Sequence, residues 1–109
     1  MSKVIDMADR VVKVEARLLE KMKRSFKGFK STPDFYIGVE WDDDINGRLV
    51  MEHVDLMDPS QAREDLADMV NIIHDDTYAV FVSKHYTRPG YGDFRRGCMP
   101  AVSIKFKVL

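Results

Sequence analysis

The chain has 109 residues, 45% hydrophobic and 32% charged; this describes one domain (1–109) with a single core and excludes a disordered or fibrous chain. A single cysteine, Cys98, excludes an internal disulfide and gives no zinc pattern, which fits a reducing, cytoplasmic setting. No run approaches the ~18 apolar residues of a membrane span, and the charged start MSKVIDMADR lacks the apolar stretch of a secretory signal, so no membrane partner is expected.

The net charge of −1 hides a segregation. Residues 1–30 carry nine Lys/Arg against four Asp/Glu, residues 31–76 two against thirteen, and residues 77–109 six against one. Either the basic ends fold against the acidic middle and neutralise it, or one face is left strongly charged and meets a partner of opposite sign.

Residues 3–29 read as a helix. Val4, Met7, Val11, Val14, Leu18, Met22, Phe26 and Phe29 recur at spacings of three and four, a wide stripe suited to lying on a sheet. Lys21, Lys23, Arg24, Lys27 and Lys30 crowd its end, where cations suit the helix dipole. A helix of about 27 residues is roughly 40 Å long, whereas a domain of this size has a radius of gyration of roughly 13 Å. Either the helix bends near Ser25, or one end overhangs with its apolar stripe uncovered, which favours a homo-oligomer or a docked partner.

Asp34 to Met57 reads as a β-hairpin. Two runs rich in β-branched and aromatic residues flank Asn46-Gly47, the strongest short signal for a type I′ turn. With those two residues in the turn, Ile45 faces Arg48, Trp41 faces Glu52, Glu40 faces His53 and Val39 faces Val54. Phe35, Ile37, Val39, Trp41, Val50, Val54 and Leu56 then share the core face. Tyr36, Gly38, Glu40, Asp42, Asp44, Leu49, Met51, His53, Asp55 and Met57 take the other.

A second helix follows over about 59–75. Asp58 is its N-cap and Pro59 its first residue, and Gln61 completes a capping box. Ala62, Leu66, Met69, Val70 and Ile73 make the buried stripe, with Glu64, Asp65, Asp68 and Asp75 in water. Residues 77–87 and 100–109 read as strands, the second with Val102, Ile104, Phe106 and Val108 inward and Ser103, Lys105 and Lys107 outward. The expected fold is α+β: a two-layer sandwich in the order α-β-β-α-β-β, an antiparallel sheet of about four strands with two helices on one face. Strand order does not follow from the pattern.

Two stretches carry candidate chemistry. Asp42-x-Asp44-x-Asn46-Gly47 matches the opening of a calcium loop, but position twelve is His53 where a bidentate Glu is required, and strands replace the flanking helices. Glu40, Asp42, Asp44, His53 and Asp55 would suit Mg²⁺ or Mn²⁺, or a general base, if the fold gathered them; the simpler reading is a solvated acidic rim. The second stretch, RPGYGDFRRG, combines Arg88, Arg95 and Arg96 with Tyr91 and Phe94. These are ingredients of single-stranded nucleic-acid binding and equally of protein–protein hot spots. Cys98 has no His or Asn partner pattern, and no Walker A, G-x-G-x-x-G or H-E-x-x-H motif is present.

The residues therefore point to a non-catalytic binding protein with no cofactor. It docks a charged surface, Asp42, Asp43 and Asp44 or Arg88, Tyr91, Phe94, Arg95 and Arg96, onto a protein partner. Such a short domain fits a viral or mobile-element accessory, an inhibitor or an assembly subunit. The alternatives are a nucleic-acid-binding protein using loop 88–96 and a metal-dependent enzyme using the hairpin carboxylates.

Overall fold

The computed structural model describes residues 3–26, 36–87 and 100–109, with side chains of the first helix described from Met7 onward. Two helices, four strands and a 3-10 turn follow one another as α1 (Lys3–Ser25), β1 (Tyr36–Trp41), β2 (Asn46–Glu52), the 3-10 turn (Val54–Met57), α2 (Pro59–His74), β3 (Ala79–Thr87) and β4 (Ala101–Val108). The sheet is antiparallel throughout, in the order β1-β2-β4-β3. Both helices lie on one face, giving the α+β sandwich that the hydrophobic periods imply.

The core lies between that face and the helices. α1 contributes Val14, Leu18, Met22 and Phe26, α2 contributes Ala62, Leu66, Met69, Ile72 and Ile73, and the sheet contributes Leu49, Met51, Val102, Ile104, Phe106 and Val108. β4 follows its alternation as read, with Val102, Ile104, Phe106 and Val108 buried. Asp58 caps α2 by accepting from the Ser60 amide, and Pro59 occupies the first turn. The capping box does not form, because the Gln61 side chain donates to Asp65 Oδ1 at 3.0 Å. Asp65 itself is buried, at 3% exposure, where its charge suggested water; it stands on the same stripe as Ala62 and Met69.

The hairpin register is a larger correction. Asn46 and Gly47 are the first residues of β2, and the connection is Asp42 to Ile45. Trp41 pairs with Gly47, Glu40 with Arg48, Val39 with Leu49 and Ile37 with Met51. β1 keeps its expected orientation, but β2 is turned over: Leu49 and Met51 enter the core, while Val50 is buried on the face away from the helices. Val54 is 52% exposed, and Leu56 reaches the core from the 3-10 turn.

Two local causes explain the shift. Asp43 closes the connection, its carboxylate accepting from the amides of Ile45 (2.9 Å) and Asn46 (2.8 Å) and from the Asn46 side chain. This is the backbone-mimicking turn that Asp favours. Gly47 is needed for space, since a Cβ there would lie 2.9 Å from both Trp41 and Phe106. Those rings meet edge-on above it, with centroids 5.5 Å apart.

β3 is an edge strand with a bulge between Phe81 and Ser83 that leaves Val82 55% exposed. A bulge blunts an edge against uncontrolled pairing. No helix among the described residues is long and apolar enough to cross a membrane.

Candidate interaction surface

Burial along α1 is uneven. Val14, Leu18 and Met22 are sealed, but Met7 and Val11 are only half-buried and Val12 is 66% exposed. Met7 and Val11 pack on the margin of the core, and Val12 faces away from it. Glu15 fixes the crossing point by accepting from the Trp41 indole N–H, so α1 is pinned to the end of β1. The hairpin connection lies beside these turns, and Met7, Ala8, Val11 and Asp44 line a cleft of about 470 Å³. Apolar side chains thus form the floor and a carboxylate one wall.

The three aspartates of the connection have different roles. Asp43 is the turn's own acceptor; the Ile45 amide, then the Asn46 side chain and amide, hold its carboxyl below the usual range. Asp42 pairs with Arg48 Nη2 at 2.7 Å. Asp44 forms no hydrogen bond or ion pair with any described residue and is exposed. Of the acidic trio named from sequence, only Asp44 is left to meet a partner.

The metal candidates are not brought together. The true register puts Glu40 opposite Arg48, and His53 lies beyond β2, where its Nδ1 accepts from the Asp55 amide at 3.1 Å. Among the described residues no group of three or more His, Cys, Asp or Glu is placed to hold an ion. Arg88, Tyr91, Phe94, Arg95 and Arg96 lie outside the described residues. Comparison with known family models, curated proteins and solved structures gives no match.

The charge blocks meet at defined points. Arg17 of the basic block grips Asp76 of the acidic one with Nε at 2.8 Å and Nη2 at 3.0 Å. Burial opposes ionisation of Asp76, but the Arg17 guanidinium and the Tyr78 amide outweigh it and hold the carboxyl low. Lys21 adds to that field, and Lys107 acts on Asp43. The ends therefore neutralise the middle in part, at the α2–β3 connection and beneath the hairpin turn. Sequence reasoning did not single out Asp76, although an Asp two residues before Tyr78, just past a helix end, is a recognisable turn signal.

Proposed function

We propose that this chain is a non-catalytic binding protein that docks onto a protein partner through the α1 turns around Met7 to Val12 and the adjoining hairpin connection. The observation that carries the reading is the cleft formed by Met7, Ala8, Val11 and Asp44, with Val12 exposed on the same turns. Half-buried Met7 and Val11 with exposed Val12, beside a carboxylate not engaged by any described residue, give the composition of a partner site: an apolar centre with a charged rim. The partner surface that fits offers an apolar side chain to the floor and a Lys or Arg to Asp44.

The reading separates residues with internal work from residues available for contact. Charge reversal across Asp42–Asp44 together would break the turn and the Arg48 pair as well as any interface. The informative variants are Asp44→Lys and Val12→Glu, each confirmed folded by its melting curve. In affinity capture from cells of the natural source, both should reduce recovery of one discrete partner at least fivefold relative to the unaltered chain. Capture indifferent to both substitutions would overturn the proposal. Sedimentation of the purified chain shows whether that partner is a second copy.

A further inference from the structure

On the other side of α1, away from the hairpin, Arg10, Lys13 and Arg17 follow one another at spacings of three and four and so share a helix face. With Asp9 and Tyr78 they line a second cleft, of about 190 Å³. At about 30 Å³ per water, that is room for roughly six waters. We propose that this cleft is an oxyanion site for a phosphate group, either inorganic phosphate or the phosphoryl end of a small monoester.

The argument rests on how the two guanidinium groups are held. Arg17 spends Nε and Nη2 on Asp76, whose side chain is fully buried, leaving the Nη1 donors unspent. Arg10 donates from Nη1 to the main-chain oxygen of Leu109, the last residue, and lies 4.2 Å over the Tyr78 ring, leaving Nε and Nη2 unspent among the described residues. Each planar fork is thus fixed by contacts that leave part of its donor set free. Binding an anion then costs little further side-chain entropy, and guanidinium forks suit phosphate oxygens.

Lys13 supplies a mobile third cation. Its pair with Asp9, 2.9 Å long, is exposed on both sides, at 64% and 58%. Such pairs contribute little and exchange readily, so the ammonium is able to turn to a ligand. Asp76 is consumed by Arg17 inside the protein. Asp9 remains in the wall and weakens the attraction.

This site is separate from the docking cleft, and its test does not depend on a protein partner. Amide and arginine side-chain resonances are followed by NMR while inorganic phosphate or phenyl phosphate replaces chloride at constant ionic strength. The expected result is a saturable shift centred on Arg10, Lys13, Arg17 and Tyr78. Arg10→Lys keeps the charge but loses the fork, and should weaken binding at least fivefold. Asp9→Asn, which leaves the guanidinium contacts intact, should tighten it severalfold. Tighter binding of phenyl phosphate would identify a monoester as the ligand, and equal binding would identify the free ion. Shifts that fail to saturate, shifts centred elsewhere, or wild-type affinity in both variants would overturn the site.

Discussion

Asp65 is a carboxylate on the buried stripe of α2. It stands three residues after Ala62 and four before Met69, both buried, although its charge suggested the wet side with Glu64 and Asp68. Its side chain is out of water and receives one hydrogen bond, from Gln61. Burial, reinforced by Asp68, Glu64 and Asp55 against the single Gln61 bond, pushes its carboxyl up to about 6. The unfolded chain keeps a value near 3.9. Between those pH values the folded state binds the extra proton, so Asp65 lowers stability progressively as pH rises from about 4 to 6, and the full cost applies above that. Asp65→Asn should raise stability at pH 7.5 by on the order of 2 kcal/mol. The gain should fade towards pH 4, as read by thermal melts across that range. A gain independent of pH would refute the assignment. The burial was legible in the spacing from Ala62 to Met69; the charge of the residue masked it.

At the scale of elements, the strongest periods were legible and the strongest local motif misled. β4 alternates cleanly because only one of its faces meets the helices, and α2 begins at Asp58-Pro59 because capping chemistry is local. The Asn-Gly pair failed as a turn signal for two reasons outside its own dipeptide. Asp43 offers the chain a closure three residues earlier, and Trp41 and Phe106 leave no room for a Cβ at position 47. The register then shifted by an odd number, so β2 exchanged its faces while β1 did not. Gly47→Ala tests this account of packing. It should cost about 1–3 kcal/mol through displacement of the two rings, with the Trp41 fluorescence altered in the folded state. If Gly47 sat in a solvated turn, the indole signal would not change.

For the whole molecule, the charge segregation in the sequence is offset at three described points. Arg17 with Asp76, Arg48 with Asp42, and Lys107 near Asp43 use up part of it in holding the fold together. α1, with 23 residues, is roughly 34 Å long and lies within the 48 Å long axis of the molecule. Half-buried Met7 and Val11 rest on the margin of the core. Their placement beside Asp44 was not legible, because it depends on where the hairpin connection lies in space.

The central claim is that the start of α1 and Asp44 form one docking surface. Its most direct test places a photo-crosslinking residue at Val12, with a control at the exposed Glu64 of α2, in cells of the natural source. A protein adduct at position 12 that is missing at position 64 and lost when Asp44→Lys is added is the predicted result. Equal adducts at both positions, or none at position 12, would contradict it.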